Sequence, residues 1–312
     1  MSTDVTVLVI TYKPNYKKLF LTLKSVISQR DIGFDIVIAD DGTSDFDKSA
    51  IENWFAANGF SNFQITSLAE NAGTVKNIDN GLKLCHGKYL KLISPGDFLY
   101  DELTLKRFFD FCESNKFDIS FGNSIYYSYN DGKIQTYPKL HYPIILKPYR
   151  KNNLKKIKFN YLVFSDFIVA PSYFVNTELF KKYYKRIVDK VKFAEDTMYI
   201  LMIAEGITPH YLDSPIVWYE YGTGISTGNN SKWISLIVKD ITSVGEMIKE
   251  INPDYKIFNE MHLKKKSLKV FLLRLRRKLS FKFAKSFTKI DFSTDSLNKL
   301  LTENTVYENK DD

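Results

Sequence analysis

The chain has 312 residues, of which 44% are hydrophobic and 15% aromatic, and its formal net charge at pH 7 is +8. This composition excludes a wholly disordered chain, and the length suits one large core with an appendage or two modest domains. Two cysteines, Cys85 and Cys112, exclude a disulfide scaffold and indicate a reducing compartment. We expect no signal peptide, because no basic segment precedes the first apolar run. We expect no membrane-spanning helix, because no uncharged apolar stretch reaches about 18 residues.

The first third of the chain alternates strand and helix patterns. In chain order the predicted elements are strand Val5–Thr11, helix Leu19–Ser28, strand Phe34–Ala39, helix Ile51–Asn58, strand Phe63–Ser67, helix Lys76–Cys85 and strand Tyr89–Ile93. This alternation predicts an α/β sheet with functional loops at the carboxyl ends of its strands.

The pattern becomes mixed from residue 119 and helical towards the C-terminus. In chain order the predictions are strand-like runs Ile119–Phe121, Ser124–Tyr129 and Phe164–Ala170, helix Glu195–Glu205, strand His210–Tyr221, helices from Trp233 and a frayed segment Phe292–Asp312. The strand-like runs predict a mixed, antiparallel half of the same sheet.

Two polar segments directly follow predicted strands. The hydroxyl of Thr11 and the ring of Tyr12 can hold a nucleotide base and its ribose, although ordinary loop chemistry also explains them. Asp40 and Asp41 can accept hydrogen bonds from a base N–H or from ribose hydroxyls, and the alternative is a solvated turn. Two adjacent acids after an apolar strand favour a binding role.

A third polar segment, Asn71–Asn77, opens a helix. Gly73 allows a close approach of the backbone to a ligand, and amides at a helix start favour phosphate, with Lys76 as a countercharge. A simple helix cap with a surface lysine is the alternative.

The order of these motifs is specific. Thr11-Tyr12, Ser25–Gln29, Asp40–Asp45, Asn71-x-Gly73 and Gly87–Leu90 follow one another as in the family 2 glycosyltransferases, which this chain resembles over roughly residues 4–225. The resemblance implies a GT-A fold, a mixed sheet flanked by helices, and we assign it to a catalytic domain of residues 1–228. The helical pattern that follows predicts a C-terminal helical extension over residues 229–312. It also implies a nucleoside-diphosphate-sugar donor and inversion at the anomeric carbon. Asp41, with Thr11 and Tyr12, would then contact the nucleoside.

The chain departs from the family after the fourth strand. Where the family usually carries an Asp-x-Asp metal motif, this sequence reads Ser94-Pro95-Gly96-Asp97, with Asp97 as its carboxylate. The resemblance implies a donor-binding segment here and a divalent cation, Mn²⁺ or Mg²⁺, held by Asp97 with phosphate oxygens and waters. Lys76 would supply part of the missing charge.

An acidic pair and a glycine-rich aromatic segment complete the resemblance. Glu195-Asp196 matches the pair whose aspartate is the general base, so Asp196 is the predicted base and Glu195 the second choice. Acids favoured at a helix N-terminus are the alternative.

The segment Trp218–Ser226 resembles the family's loop that closes over donor and acceptor. Its predicted acceptor-loop residues are Trp218, Tyr219, Gly222 and Gly224. Trp218 or Tyr219 can stack on a sugar face, and core burial is the alternative for Trp218.

The basic charge is concentrated near the C-terminus. Residues 262–290 hold eleven Lys/Arg and no Asp or Glu, which leaves 33 basic against 36 acidic residues elsewhere. Apolar residues recur there at helical spacing: Leu268, Leu272, Leu275, Leu279, Phe283 and Phe287. This pattern predicts one or two amphipathic helices on an anionic membrane surface, with packing on the catalytic domain as the alternative. We expect no nucleic-acid partner, because no known binding module is present.

Together these features predict a non-processive inverting transferase that moves one hexose or N-acetylhexosamine from a UDP-sugar to a lipid-linked or glycan acceptor. Surface polysaccharide synthesis, such as that of a capsule, at the inner face of the cell membrane fits this reading. The alternative is a nucleotide-sugar-binding pseudo-enzyme. A nicotinamide oxidoreductase is set aside, because no Gly-x-Gly-x-x-Gly turn follows the first strand. The aromatic C-terminal helices are candidates for a homodimer contact.

Overall fold

The computed structural model describes residues 3–130, 133–222, 231–249, 251, 257, 260–261 and 267–302. Its strands are β1 Val5–Thr11, β2 Phe34–Asp40, β3 Phe63–Ser67, β4 Tyr89–Ile93, β5 Phe98–Leu99, β6 Ile119–Asn130, β7 Lys133–Thr136, β8 Tyr173–Asn176 and β9 His210–Glu220. Its helices are α1 Tyr16–Ile27, α2 Lys48–Ala57, α3 Thr74–Leu82, α4 Thr104–Asn115, α5 Lys147–Arg150, α6 Leu154–Phe164, α7 Thr177–Ile187, α8 Thr197–Ala204, α9 Ser231–Ile248, α10 Leu268–Phe287 and α11 Asp295–Thr302.

These strands form one mixed sheet in the order β3-β2-β1-β4-β8-β6-β9-β5, with β7 paired to β6. The first four strands in this order, β3, β2, β1 and β4, run parallel to one another. β8 runs antiparallel to both β4 and β6, while β9 runs parallel to β6. The predicted mixed sheet flanked by helices is therefore confirmed. The carboxyl ends of β1, β2 and β4 meet at one edge, where the polar segments follow.

The central strands are apolar on both sides because helices cover both faces of the sheet. Leu8 and Leu90 belong to one core, whereas Val7 and Ile93 belong to the other. On the first face, α3 lies so close to β1 that a Cβ at Gly81 would stand 2.6 Å from Leu8 Cδ1. The glycine therefore sets the depth at which α3 packs.

One predicted strand was wrong. Phe164–Ala170 is not a strand: α6 continues to Phe164, and Ser165 ends it in the left-handed conformation, with φ 53°. The strand of this region is β8, which begins three residues later. An apolar run of this length does not distinguish a buried helix end from a strand, and here the buried carboxylate of Asp166 fixes the turn by accepting the amides of Ile144 and Ile145.

The C-terminal helices pack against the sheet domain. Val244 and Ile248 of α9 are buried in the first core. The expected fraying of the last segment is corrected for residues 295–302, which form α11 because Leu297 and Leu301 are buried against Trp218 and its neighbours. The domain division at residues 228 and 229 lies outside the described residues and stays a prediction. Among the described helices, none combines the length and hydrophobicity needed to cross a membrane.

Candidate active site

A cavity of about 490 Å³ opens at the edge of the sheet where β1 and β4 end. Its walls come from the ends of these strands, from the segment before α8, from the end of β9 and from α9. The lining residues that matter for chemistry are Tyr12, Ser94, Pro95, Asp97, Glu195, Asp196, Tyr219 and Glu220. The fold thus brings three segments that are far apart in the sequence, 94–97, 195–196 and 219–220, to one place.

Asp97 lies on the floor of the cavity. Gly96, with φ 100°, turns the chain after β4, and its carbonyl accepts the hydroxyl of buried Tyr127 at 2.5 Å. Asp97 Oδ1 accepts the backbone N–H of Glu220 at 3.0 Å. Burial raises the pKa of Asp97 to about 7, although that hydrogen bond and the nearby Lys91 oppose the rise. A cation in the cavity would therefore meet a carboxylate whose negative charge the surrounding protein groups stabilise only in part.

Lys91, on β4, is a charged residue that the motifs did not identify. It is fully buried, and its ammonium donates to the carbonyls of Pro171 and Tyr173. Burial lowers its pKa to about 7, and the charge of Asp97 limits the fall. The sequence signal was a single lysine inside the apolar strand Tyr89–Ile93, where a charge needs a buried partner.

Glu195 and Asp196 face the cavity just before α8, a helix whose eight residues are all buried. Burial raises the pKa of both carboxyls, and repulsion by Asp196 raises that of Glu195 further. Two such carboxyls lose their protons in linked steps. At neutral pH the pair is therefore more stable with one ionised carboxylate than with two. One carboxyl keeps its proton, and the ionised one can accept a proton from a substrate.

Asp240, on α9, holds the segment in front of this pair. Its buried carboxylate accepts three consecutive backbone amides, from Lys192 at 3.2 Å, Phe193 at 2.9 Å and Ala194 at 3.0 Å. Sequence reasoning missed this residue because it is a single aspartate in a helix 44 positions after Asp196. Only the packing of α9 on α8 brings it there.

The two acids at the carboxyl end of β2 accept hydrogen bonds from other residues of the protein. Asp40 is fully buried and accepts hydrogen bonds from Thr43 and from the hydroxyl of Ser67. Asp41 accepts the side-chain amide of Asn71 at 2.9 Å and the backbone amides of Ala72 and Gly73. Burial raises the pKa of Asp41, and the two backbone amides oppose the rise. Asp41 therefore shapes the 71–73 loop through direct contacts.

Of the remaining residues that were predicted to bind the donor, some line the cavity and others lie outside it. Tyr12 is 46% exposed and lines the cavity, and the buried hydroxyl of Thr11 has no hydrogen-bond partner among the described residues. Gly73, with φ 97°, packs against the backbone of Lys192, where an added Cβ would lie 2.7 Å from the carbonyl oxygen. Lys76 is on the surface, 3.8 Å from Asp189, and is not part of the cavity wall.

The aromatic segment at the end of β9 splits in the same way. Tyr219 lines the cavity, whereas Trp218 is 1% exposed and donates its indole N–H to Tyr100 and Ser296. Trp218 is therefore a core residue, and the prediction that it stacks on a sugar was wrong. Alternate residues of a strand face opposite sides, so Tyr219 faces the cavity while Trp218 faces the core. Gly222 follows with φ 93°, and Gly224 lies outside the described residues.

We predict that Asp41→Ala weakens nucleotide binding and lowers the free energy of unfolding by about 1–3 kcal/mol, because the backbone amides of Ala72 and Gly73 lose their acceptor. Titration with UDP and thermal unfolding measure the two effects. Asp110→Ala, which removes a carboxylate of α4 that pairs with Lys106, is the control. Unchanged affinity for UDP and unchanged stability in Asp41→Ala would contradict the role of Asp41 in holding the 71–73 loop.

Comparison with known proteins agrees with this architecture. The profile described as Glycosyl transferase family 2 matches residues 6–179, more than half of the chain. No curated protein sequence matches. Residues 1–349 of TarS from S. aureus share the fold with a TM-score of 0.50 at 20% identity, over 90% of this chain and 81% of that one. The mannosyltransferase PcManGT from Pyrobaculum calidifontis, in complex with GDP-Man and Mn²⁺, gives 0.52 at 12% identity, over 99% and 82%.

The family match spans the sheet from β1 to β8 and includes the segments around Asp41 and Asp97. The structural similarities, at their low identity, show the fold alone. Together with the cavity at the strand ends, these findings identify the chain. It belongs to glycosyl transferase family 2 and is a glycosyltransferase with the GT-A fold.

Proposed function

We propose that this glycosyltransferase moves one sugar from a UDP-sugar to a lipid-linked acceptor, with inversion at the anomeric carbon, in the synthesis of a surface glycan. The observation that carries the proposal is the convergence of Asp97 with Glu195 and Asp196 on one cavity. The donor diphosphate would lie towards Asp97, and the acceptor hydroxyl towards the acidic pair. PcManGT, which shares the fold, was determined with a nucleotide sugar.

In the proposed reaction the acceptor oxygen attacks the anomeric carbon while the bond from that carbon to the diphosphate oxygen breaks. The acceptor hydroxyl gives its proton to Asp196, and the electron pair leaves with the nucleoside diphosphate. The raised pKa of Asp196 suits this role, because a base whose pKa lies closer to the working pH shares the proton more effectively in the transition state. Tyr219 lines the cavity and would contact a sugar ring bound there.

The residues of the cavity suit a divalent cation that has few protein ligands. Among the described residues, no three acidic, histidine or cysteine side chains converge on one point, so Asp97 would be the protein ligand. Its Oδ2 receives no hydrogen bond from a described residue, and Mg²⁺ in nucleotide sites is often held by one carboxylate with phosphate oxygens and waters. Bound there, Mn²⁺ or Mg²⁺ would neutralise charge on the leaving diphosphate.

The decisive experiment is a donor-hydrolysis screen. The protein is incubated with UDP-glucose, UDP-galactose, their N-acetylated forms, GDP-mannose and dTDP-glucose, each with Mn²⁺, Mg²⁺ or EDTA, and the release of nucleoside diphosphate is followed. Hydrolysis of one UDP-sugar supports the proposed donor. Binding of UDP without turnover of any donor, even with cell-envelope lipid extract as acceptor, would instead support a nucleotide-sugar-binding pseudo-enzyme.

We predict that Asp97→Ala lowers the hydrolysis rate by about a hundredfold and removes its stimulation by Mn²⁺, since a cation at the diphosphate contributes several kcal/mol. The matched control is Asp110→Ala, which removes a half-exposed carboxylate of α4 that pairs with Lys106. Full metal stimulation in Asp97→Ala would show that Asp97 does not hold the cation.

We also propose that the enzyme works on an anionic membrane surface, which fits a lipid-linked acceptor at the inner face of the cell membrane. The support is α10, which carries seven Lys/Arg and no acid. Seven large apolar side chains of this helix are between 44% and 74% exposed: Leu268, Phe271, Leu272, Leu275, Leu279, Phe283 and Phe287. By helical periodicity they form one stripe, with Lys278, Lys282 and Lys285 along its border.

The opposite side of α10 attaches the helix to the catalytic domain. Val270 is fully buried there, in a cluster with Val163 and Phe164 of α6. Arg276 lies 5.1 Å from the ring of Phe159. The helix thus has one packed side and one apolar side that the described residues leave exposed. An apolar stripe beside a cationic border matches the boundary between lipid headgroups and acyl chains.

A further inference from the structure

The segment that leads into the acidic pair is held from two sides. From α9, the carboxylate of Asp240 accepts the amides of Lys192, Phe193 and Ala194 within 3.2 Å. From the donor side, the N–H of Val75 donates to the carbonyl of Lys192 at 3.1 Å. The three peptide groups that end in the amides of residues 192–194 are therefore fixed directly before the acidic pair.

The donor-side contact continues to the nucleotide loop. Gly73 packs directly on Lys192, and Asp41 accepts the amide of Gly73. Segment 192–194 is thus the place where the loop held by Asp41 meets the segment held by Asp240. Since α9 also contributes Ile237 to the cavity wall, this helix is part of the active site.

We propose that Asp240 is a positioning residue that sets the orientation of the acidic pair, and that α9 thereby belongs to the catalytic machinery. The proposal rests on the proposed role of Glu195 and Asp196. Three amides that converge on one carboxylate define the path of the chain over three residues, and the acidic pair Glu195-Asp196 follows directly. A shift of about 1 Å in such a group lowers rates by about a hundredfold.

The charge of Asp240 also reaches the pair. Its negative charge adds to the rise in the pKa of Glu195, after burial and the repulsion by Asp196. Among the residues that the structure describes, the tyrosines that interact with the pair are Tyr161 of α6, Tyr184 of α7 and Tyr199 of α8, and burial raises the pKa of all three above the ordinary value. These hydroxyls stay neutral over the working range. Asp240 is therefore the outside carboxylate whose removal changes the titration of the pair.

The test compares Asp240→Asn and Asp240→Ala with the intact chain. Asp240→Asn keeps the shape but removes the charge and replaces one acceptor oxygen with a donor, whereas Asp240→Ala removes both acceptors. The matched control is Asp110→Asn, the same change on an exposed part of α4. The measurements are the pH dependence of donor hydrolysis, the affinity for UDP and hydrogen exchange of the peptide that covers residues 190–197.

We expect exchange at residues 192–194 to become faster in both variants, with little change elsewhere. The kcat for hydrolysis should fall about tenfold to a hundredfold, with UDP affinity within about threefold of the intact chain. In Asp240→Asn the acidic limb of the pH profile should move to lower pH, because the pair loses its protons in linked steps and loss of a neighbouring negative charge lowers the pH at which the pair first ionises. A residue that only stabilises the fold would leave this limb in place.

Unchanged exchange, unchanged kcat or an unmoved acidic limb in Asp240→Asn would overturn the proposal. Failure of the proposed function has a different signature: the intact chain itself hydrolyses no donor. In that case the proposal fails as well if segment 192–194 exchanges equally fast in the intact chain and in Asp240→Ala.

Discussion

Asp196→Asn is expected to lower kcat for sugar transfer by about 10²–10⁴-fold while the donor still binds, because the acceptor hydroxyl loses the group that takes its proton. Asparagine keeps the size of the side chain, so loss of activity with normal UDP affinity separates catalysis from folding. The measurement is the rate of transfer and of donor hydrolysis, together with UDP titration. Activity within about threefold of the intact chain would remove Asp196 from the role of base.

Replacement of Glu195, the neighbour of Asp196 in the sequence, provides the comparison for Asp196→Asn. Glu195→Gln removes the repulsion that contributes to the raised proton affinity of the pair, so its effect on kcat should be smaller than that of Asp196→Asn. A larger loss in Glu195→Gln would reverse the assignment and make Glu195 the base.

The pH profile supplies an independent test of the pair. The proposed base, Asp196, would act as a carboxylate, and burial raises its pKa above the ordinary 3.8. Transfer should therefore fail on the acidic side at a higher pH than an exposed aspartate would give. An acidic limb near pH 4 would show that the cavity does not desolvate the working carboxylate.

Replacement of Leu272, Leu275, Leu279 and Phe283 together by glutamine is expected to abolish binding to anionic vesicles, with a loss of more than about a hundredfold in affinity. Insertion of such a side chain contributes roughly 1.5 kcal/mol or more, and four act together here. Glutamine forms helices well, so α10 should persist. Flotation with vesicles of phosphatidylglycerol and phosphatidylcholine measures the binding.

Three comparisons make this test specific. Binding should weaken with salt and with pure phosphatidylcholine, since each Lys or Arg near an anionic surface contributes about 1 kcal/mol. Leu103→Gln, an exposed apolar residue away from α10, should leave binding unchanged. Hydrolysis of a soluble donor should persist in the quadruple variant. If instead the intact chain ignores vesicles and the variant changes from dimer to monomer in light scattering, the stripe pairs two copies of the chain.

The sequence by itself determined the parallel half of the sheet and the positions of the motifs. Runs such as Val5–Thr11 are apolar on both faces and rich in β-branched residues, and this pattern is typical of a parallel strand covered by helices on both sides. The motifs around Asp41 and Asp97 follow these strands, so their common location at the carboxyl edge could be inferred before any contact was known. The acidic pair was identified by its resemblance to the family alone.

The tertiary structure decided how individual side chains are used. Lys76 and Trp218 stand within predicted site segments, yet one lies on the surface and the other in the core, because neighbouring positions of a helix or strand face different sides. Lys91 and Asp240 carry no motif. Their importance comes from partners 80 and 46 to 48 residues away in the sequence, and a pattern within a short window contains no information about contacts at that separation.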